Sequence, residues 1–390
     1  MYDEGATVCG VCLSEPDYLS NLIAANATAT ECSYCGRVTE EPSAMLMEDL
    51  IDVISGAVSE EYEDAADSVP YESAEGGYQM TTYTSDELLY GMGLFSRSRE
   101  LMRDIADALP DYAWVERDPF GLSRYDALQF GWEEFCRQIK HVTRFMFFRR
   151  RRRTIQSHDD IRPYEMLSEL GSLIKELGLV TVLPLGTILF RVRQHVGTVH
   201  PQTLSELGPP PTENAVHANR LTPAGISMLY AALDPVTAAK ETLNRRSKRL
   251  RWATTAEIET LRDLSVIDLT ALPPIPNIFD REFTRDQRQA IAFIHSFTED
   301  LTKPVRKDGR EHIEYVPSQV VTEYIRYRFL DADRERANGI VYPSAKDPIG
   351  RNVVLFYDSD DCSPIDLLGT ARGAPLRLRT SRERGVTGHP

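Results

Sequence analysis

The stretch that decides the fold of the C-terminal half is "ANRLTPAGISMLYAALDPVTAAKET", residues 218–242. Arg220 precedes a turn that contains proline and glycine, and an apolar segment with Tyr230 follows that turn. A helix comes next, because Asp234 can cap its N-terminus and the proline after it suits a first turn. The stretch therefore predicts a turn, a strand and a helix in succession, with Glu241 about two turns into the helix.

The segments on either side of this stretch predict an α+β domain. Four segments have the composition of strands, and they read "VTVLPLGTILFRVR", "LRDLSVIDLTAL", "NGIVYPS" and "NVVLFYD". Helices are expected at about 284–300 and 317–330. We place this domain at residues 180–368. The last segment, 369–390, is rich in Gly, Pro, Ser and Arg and predicts a disordered tail.

The N-terminal half predicts mostly helices, which we assign to a domain at residues 43–160. One helix is expected from Ser43 to Ser55 and one from Ser85 to the proline at 110, and a further helix over 163–180 follows the domain. A long helix from about Tyr125 shows an apolar stripe at helical spacing. Its residues are Leu128, Trp132, Phe135, Ile139, Val142 and Phe145. The acidic segment "EEYEDAADSVPYESAEGGYQM" predicts a mobile or extended connector.

The charge of the chain is distributed unevenly. Residues 1–90 hold 19 acidic residues and one basic residue, whereas the other 300 hold 40 acidic and 43 basic residues. The formal net charge of −15 therefore belongs to the N-terminal part, and nothing global indicates a nucleic-acid partner. There is no apolar run long enough to span a membrane and no pattern of a signal peptide at the N-terminus. We therefore expect a cytoplasmic protein.

Four of the six cysteines form a metal-binding pattern. Cys9, Cys12, Cys32 and Cys35 follow the spacing C-x2-C-x19-C-x2-C. Two close thiolate pairs around one ion suit tetrahedral Zn²⁺, and four cysteine ligands leave no open position, so the site would be structural. Disulfides are the alternative, which the lack of an export signal disfavours. We expect a four-cysteine zinc module over residues 1–42.

Several polar residues of the C-terminal half could together bind a dinucleotide. Arg191 and Arg193 lie on one side of a strand by period-two alternation, and Ser344 ends a later strand. Guanidinium and hydroxyl groups can bind a diphosphate, and the ring of Tyr230 offers a stacking face for a base. One carboxylate, Glu241, could stabilise an oxocarbenium-like sugar. By spacing alone, surface ion pairs and a core tyrosine remain equally good explanations.

The segments "ILFRVR", "NRLTPAGISMLYAALDPVTAAKET", "LRDLSVIDLTALP", "EYVPSQVVTEYIR" and "GIVYPSAKD-NVVLF" resemble the RES domain family in order and spacing. The resemblance covers roughly residues 185–360. The paired cysteines and "WEEFCRQIKHVTRFMFF" resemble the helical HEPN-type N-terminal region that is fused to some RES proteins. RES domains are similar in fold to ADP-ribosyltransferase toxins, and known members cleave the nicotinamide–ribose bond of NAD⁺.

The resemblance implies a role for each of the polar residues. Arg191, Arg220, Glu241 and Ser344 would form the catalytic set, and Tyr230 and Arg193 would bind substrate. Many family members have a glycine just before the second arginine and an aromatic or polar residue after it. Here Asn219 and Leu221 stand at those positions, and because asparagine can still adopt a positive φ, we expect the turn to form.

The function that this resemblance implies is an NAD⁺ glycohydrolase acting as a toxin or anti-phage effector, controlled by its N-terminal region. A mono-ADP-ribosyltransferase and a non-enzymatic interaction protein are the alternatives. An antitoxin or a phage-derived trigger would be the partner, and the helical region could form a homodimer. HEPN domains can be ribonucleases with an R-x4–6-H motif, which Arg152 and His158 satisfy formally. In an arginine run such a match has little specificity. The run Arg149–Arg153 itself could bind phosphate or nucleic acid, but we favour a solvated helix end whose cations complement the helix C-terminus.

Overall fold

The computed structural model describes residues 3–15, 17–145, 161–244, 247, 249–305, 309–362 and 374–386. The arginine run at 149–153 and the motif of Arg152 and His158 lie outside the described residues. The helices are α1 Asp17–Ala25, α2 Met47–Glu61, α3 Ala65–Ser68, α4 Ser85–Gly91, α5 Arg99–Ala108, α6 Arg124–His141, α7 Met166–Glu176, α8 Leu204–Leu207, α9 Pro235–Thr242, α10 Arg285–Thr302, α11 Glu311–Glu314 and α12 Val316–Tyr327.

The strands are β1 Thr7–Cys9, β2 Leu13–Glu15, β3 Ala44–Leu46, β4 Tyr62–Asp64, β5 Tyr71–Glu72, β6 Gly77–Tyr78, β7 Phe95–Ser96, β8 Trp114–Glu116, β9 Val180–Leu183, β10 Ile188–His195, β11 Leu229–Ala232, β12 Trp252–Thr260, β13 Leu264–Asp268, β14 Gly339–Pro343, β15 Arg351–Leu355 and β16 Leu376–Gly385. The predicted α+β fold class is confirmed. None of the described helices combines the length and the apolar composition that a membrane span requires.

The chain folds as two compact units, and each takes a segment from the other half of the sequence. The first unit combines the residues up to Ala127 with Pro274–Ala292. The second unit contains the sheet and helices of the C-terminal half together with α6 from Leu128 onward. The domain boundaries expected from the sequence, at residues 42, 160 and 180, therefore differ from the boundaries of the compact units. Contacts between residues define each unit, and such contacts do not follow the order of the chain.

The first unit is built around one buried cluster that includes the cysteines. Cys9, Cys12 and Cys32 share this cluster with apolar residues of α1, α2, α4 and α5 and with Phe279. The cysteine segment therefore has no separate core of its own, in contrast to the separate module expected for residues 1–42. The described residues of the first unit also form four small two-stranded sheets, which are β1–β3, β2–β7, β4–β8 and β5–β6.

Two sequence-based expectations about the first unit are wrong in detail. The single helix expected from Ser85 is two helices, α4 and α5, because the chain turns at Gly93 with φ +79°. Thr84 caps α4, and it forms a capping box with Glu87. The acidic connector is folded: β4 pairs with β8, and Asp64 caps α3. Local composition misled here because the pairing partner lies some fifty residues away.

The apolar stripe of α6 is buried over only part of its expected length. Leu128, Trp132, Phe135 and Ile139 are buried, and Trp132 Nε1 donates a hydrogen bond to Asp300 (3.3 Å) within the second unit. The helix ends at His141, and Val142 and Phe145, which follow it, are exposed. The stripe therefore stops where the helix stops.

The second unit is organised by an eight-stranded sheet with the order β16-β12-β10-β11-β15-β14-β13-β9. Every neighbouring pair is antiparallel except β13 and β14. The quoted stretch lies at the centre, where β11 pairs with β10 on one side and with β15 on the other. The two helices expected at about 284–300 and 317–330 are α10 and α12.

The C-terminal tail, expected to be disordered, contributes the edge strand β16. It pairs with β12 in antiparallel register from Trp252↔Gly385 to Thr260↔Leu376. Leu376 is buried and Leu378 packs against the same cluster, so "LRLRTSRERG" holds a short period-two pattern among its arginines. The high content of Arg, Ser and Gly concealed this pattern.

Candidate active site in the C-terminal unit

The quoted stretch forms the turn, strand and helix that its sequence predicts. Asp234 accepts hydrogen bonds from the backbone N–H groups of Val236 (2.9 Å) and Thr237 (2.8 Å), which caps α9. In the turn, Asn219 and Thr222 exchange backbone hydrogen bonds of 2.8 and 3.2 Å. The turn forms without a positive φ at Asn219, so the glycine of other family members is not needed here.

A cavity of about 460 Å³ collects four of the predicted site residues. Arg191 reaches it from β10, Tyr230 from β11, Arg220 from the turn and Glu241 from α9. Its wall is also rich in rings, contributed by Phe190, Tyr315 and Tyr342. The residues separated in sequence thus meet over four neighbouring strands, β10, β11, β15 and β14.

Arg191 lies on the floor of this cavity. Its Nη1 donates a hydrogen bond to the carbonyl oxygen of Tyr230, at 2.7 Å. Desolvation of the guanidinium, with a smaller contribution from Arg193, lowers the pKa of Arg191 to about 10. The group therefore remains a cation at neutral pH, and its partly desolvated charge favours an anionic ligand.

Arg220 is anchored at the C-terminal end of α10. Its Nη1 donates to the carbonyl oxygens of Leu301 and Lys303, each at 2.7 Å. The guanidinium carbon also lies 5.7 Å from the ring centroid of Tyr315. Cations complement the negative end of a helix dipole, so this placement fixes Arg220 in the cavity wall.

Tyr230 is held by its own strand and by the turn. Its hydroxyl group lies 2.5 Å from Thr222 Oγ1, and burial raises the pKa of Tyr230 to about 12. Burial likewise raises the pKa of Tyr342 well above its ordinary value. Both phenols therefore stay neutral at physiological pH, and they provide flat, uncharged surfaces for a heteroaromatic ring.

Glu241 is the one carboxylate among the described residues that line the cavity, and it is tightly hydrogen-bonded. Its Oε1 accepts from Ser344 Oγ (2.5 Å) and from Asn352 Nδ2 (2.9 Å). Its Oε2 lies 3.9 Å from Nζ of Lys346, whose ammonium also donates to the carbonyl oxygen of Glu241. Charge-assisted bonds of this kind fix a carboxylate in place.

Ser344 lies behind Glu241 and does not line the cavity. Its Oγ accepts hydrogen bonds from the backbone N–H groups of Lys346 and Asp347, both at 3.1 Å, and donates its proton to Glu241. The hydroxyl proton of Ser344 is therefore donated to the carboxylate of Glu241. The diphosphate contact expected for Ser344 does not agree with this geometry.

Arg193 also lies apart from the cavity. It is exposed, and its Nη1 donates to the carbonyl oxygen of Glu206. The prediction that Arg191 and Arg193 point to one side relied on ideal alternation, whereas Phe190, Arg191 and Val192 all line the cavity and Arg193 does not. Substrate binding by Arg193 has no support in this arrangement.

Sequence reasoning missed Asn352, Lys346 and Tyr315 as neighbours of the site. Asn352 comes directly before the apolar run of β15, where one polar residue among valines was the available signal. Lys346 follows Ser344 by two residues and could have been found from that spacing. Tyr315 gave no local signal, because only the fold brings it to Arg220.

The four cysteines of the first unit converge as their spacing predicts. The distances between sulfur atoms are 3.8 Å for Cys9–Cys12, 3.6 Å for Cys9–Cys35 and 3.6 Å for Cys12–Cys32. All four ligand atoms lie within 4.8 Å of one another. A tetrahedral ion with bonds of about 2.3 Å to sulfur places its ligands about 3.8 Å apart. These cysteines could hold one metal ion.

Cys32 is the thiol of this cluster that is best prepared to be a thiolate. Burial raises its pKa, but hydrogen bonds from the backbone N–H groups of Cys35, Cys9 and Tyr34 outweigh burial and lower the pKa to about 7. Such amide-to-sulfur bonds are typical of the loops that hold metal ions through cysteine.

Two family models match the chain. The RES domain family matches residues 188–372, which include every residue of the cavity named above. The C-terminal half of the chain is a RES domain. The family HEPN/RES N-terminal domain 1 matches residues 25–153, so the N-terminal half carries the domain that the resemblance predicted. No curated protein matches the chain. The two domains together fit a family of NAD-acting, toxin-type proteins.

Proposed function

We propose that the RES domain cleaves the nicotinamide–ribose bond of NAD⁺, as a toxin or an anti-phage effector. The observation that carries this proposal is the single cavity that contains Arg191, Arg220, Tyr230 and the fixed carboxylate of Glu241. Two cations, flat neutral rings and one carboxylate match the diphosphate, the bases and the reacting ribose of a dinucleotide.

In the proposed complex each group of the cavity has one task. The diphosphate binds between Arg191 and Arg220, whose free N–H groups can make charge-assisted bonds to phosphate oxygens. The nicotinamide ring lies against Tyr230, whose neutral phenol does not repel it. Glu241 Oε2 accepts a hydrogen bond from the ribose 2′-hydroxyl, since Oε1 already has two donors.

The reaction needs no general acid. The bond between ribose C1′ and the nicotinamide nitrogen breaks, and its electron pair neutralises the positive charge of the pyridinium ring. Positive charge develops on the sugar, and the adjacent Glu241 stabilises it electrostatically. A water oxygen then bonds to C1′ and releases one proton, so the products are ADP-ribose, nicotinamide and H⁺.

The decisive experiment is to incubate the purified full chain with NAD⁺ and measure nicotinamide release. Free ADP-ribose supports hydrolysis, ADP-ribose-1″-phosphate in phosphate buffer supports phosphorolysis, and label on a macromolecule supports the alternative, mono-ADP-ribosylation. If NAD⁺ remains intact both alone and with cell extract added as a source of acceptors, the proposal is wrong. That result would favour a non-enzymatic interaction protein.

For the cysteine site we propose Zn²⁺ in a structural role. Four thiolates at tetrahedral spacing are the ligand set that zinc prefers, and they leave no position open for a substrate. Since Cys9, Cys12 and Cys32 belong to the main buried cluster of the first unit, the ion would stabilise that unit directly.

We propose that the N-terminal region controls the RES domain through α10. Near the start of this helix, Arg285 Nε and Arg288 Nη2 form ion pairs with Glu61 of α2, at 3.0 and 2.5 Å. In its last turn, the carbonyl oxygen of Leu301 accepts from Arg220 of the cavity. Helix α10 begins in the first unit and ends in the second, so it is the element through which a change at Glu61 would reach an arginine that binds substrate.

Substitution of Glu61 tests this control in the full chain. Glu61→Gln removes the charge that both arginines share, and we expect NAD⁺ cleavage to rise at least about threefold if the ion pairs restrain α10. Glu63→Gln is the matched control, because Glu63 bonds Ser68 and no residue of α10 among those described. Equal rates for both variants would contradict control through this helix.

Partners and location follow from the proposed chemistry. A protein that destroys NAD⁺ needs restraint, so an antitoxin or a phage-derived trigger is the partner we expect, and the cytoplasm is where its substrate is available. Size determination of the purified chain tests the expected homodimer of the helical region.

A further inference from the structure

The two carboxylate oxygens of Glu241 have different hydrogen-bond partners. Oε1 receives both strong donors, Ser344 Oγ at 2.5 Å and Asn352 Nδ2 at 2.9 Å. Among the residues that the structure describes, the partner given to Oε2 is the ammonium of Lys346 at 3.9 Å, beyond hydrogen-bond distance. The carboxylate is therefore fixed through one oxygen, while the other stays available to a ligand in the cavity.

Asn352 is placed rigidly enough to fix that orientation. It lies on β15, where it pairs with Ala232 of β11 on one side and with Tyr342 of β14 on the other. The residue is 6% exposed. An asparagine in a central strand, between two hydrogen-bonded neighbours, has little freedom to leave the carboxylate, and its amide lines the cavity.

The chemistry of the pair also fixes the direction of the amide. An ionised carboxylate can only accept hydrogen bonds, so the NH₂ group of Asn352 must be the part that faces Glu241. Replacement of that NH₂ by oxygen would place two acceptors against each other. An aspartate at 352 would therefore expel the carboxylate, although its size is nearly that of asparagine.

We propose that Asn352 is a positioning residue for the reaction of the RES domain, and this inference rests on the proposed function. Together with Ser344 it holds Oε1 of Glu241, and so presents Oε2 to the ribose. Asn352 itself contacts no reacting atom. It sets the rate by keeping the one carboxylate of the cavity in the orientation that stabilises the developing charge on the sugar.

The test compares Asn352→Asp and Asn352→Ala with the unmodified chain in nicotinamide release. We expect kcat to fall about 10- to 100-fold for Asn352→Ala, the usual effect of losing one donor to a charged group, and further for Asn352→Asp. KM for NAD⁺ should change less than about threefold, because the diphosphate and the bases are bound elsewhere. The melting temperature reports whether each variant folds.

Asn338→Asp is the matched control. Asn338 lies in the same domain and accepts the Ser265 N–H through its Oδ1 (3.1 Å), an atom that aspartate keeps, and it does not line the cavity. Its kinetics should equal those of the unmodified chain. An unchanged kcat in Asn352→Asp would overturn the proposal, and so would a fall in kcat that is accompanied by a large rise in KM and a lower melting temperature.

A crystal structure of Asn352→Asp separates this inference from the proposed function. Glu241 should turn away from residue 352 and lose its hydrogen bond to Ser344, whether or not the chain acts on NAD⁺. If the unmodified chain releases no nicotinamide, the proposed function fails, and the structure of the variant alone decides the positioning role. A Glu241 carboxylate that stays in place beside Asp at 352 would overturn it.

Discussion

At the scale of single residues, the proposed chemistry depends on the charge of one side chain. Glu241→Gln keeps the shape of the carboxylate but removes its charge. We expect kcat for nicotinamide release to fall about 100- to 1,000-fold, the usual effect of losing one electrostatic stabiliser of a transition state. KM should change little, since Arg191 and Arg220 remain.

Glu257→Gln is the control for this substitution, because Glu257 lies on β12 of the same sheet and does not line the cavity. Full activity of Glu241→Gln would remove Glu241 from its role. A variant that loses binding and turnover equally would indicate a role in substrate affinity instead.

The sequence predicted the residues of the cavity better than their contacts. Arg220, Tyr230 and Glu241 follow one another in one stretch of turn, strand and helix, which is local information, whereas Arg191 joins them through the pairing of β10 with β11. The bonds of Glu241 to Ser344 and Asn352 span 103 and 111 residues of chain. No local pattern encodes such contacts, so the positioning role of Ser344 and Asn352 required the fold.

At the scale of secondary-structure elements, the cap of α9 helps to place Glu241. Asp234→Ala removes the acceptor of two backbone N–H groups, and we expect a loss of about 1 kcal/mol in the free energy of unfolding. Urea denaturation measures it. Asp234→Asn is the conservative control, because asparagine caps helices equally well. Equal losses in both variants would show that the negative charge of Asp234 matters more than the cap.

The edge strand β16 gives a second prediction at this scale. Leu376 is 3% exposed, so Leu376→Ala should lower the free energy of unfolding by about 2–4 kcal/mol. Arg379→Ala, at an exposed position of the same strand, should change it by about 0.5 kcal/mol or less. Similar losses for the two variants, measured by denaturation, would mean that β16 does not bury Leu376 in solution.

The elements that the sequence predicted well are those with a long or clean pattern. Helix α10 and the strands β14 and β15 match their expected ranges closely, since their periodicity is uninterrupted. The break between α4 and α5 was missed because the apolar pattern continues through Gly93. Strand β16 was missed because its partner β12 lies more than a hundred residues earlier, and composition alone resembles a disordered tail.

At the scale of the whole molecule, the proposed zinc site should determine the stability of the first unit. Cys12→Ser should abolish the zinc content, expected at one ion per chain by elemental analysis, and lower the melting temperature. Cys12 is buried in the main cluster, so loss of the ion disturbs that core. Cys136→Ser is the control and should keep its zinc. Zinc bound equally to both variants would refute the assignment of Cys12.

The division of the chain predicts that the RES domain cannot be isolated by a simple cut. Residues 274–292 lie inside the RES match but belong to the first unit, where Phe279 is fully buried among N-terminal residues. Removal of residues 1–123 should expose this side chain, and aggregation or strong dye binding should follow. Phe279→Ser should reduce both in the truncated chain.

The same truncation also affects tests of control of the RES domain by the N-terminal region. A gain in NAD⁺ cleavage after truncation would suggest release from restraint, yet α10 would at the same time lose Glu61, the partner of its first arginines. The rate per molecule is therefore meaningful only for a chain that still melts cooperatively. If the truncated chain is monomeric and as stable as the full chain, Phe279 does not depend on the N-terminal residues, and the assignment of residues 274–292 to the first unit is wrong.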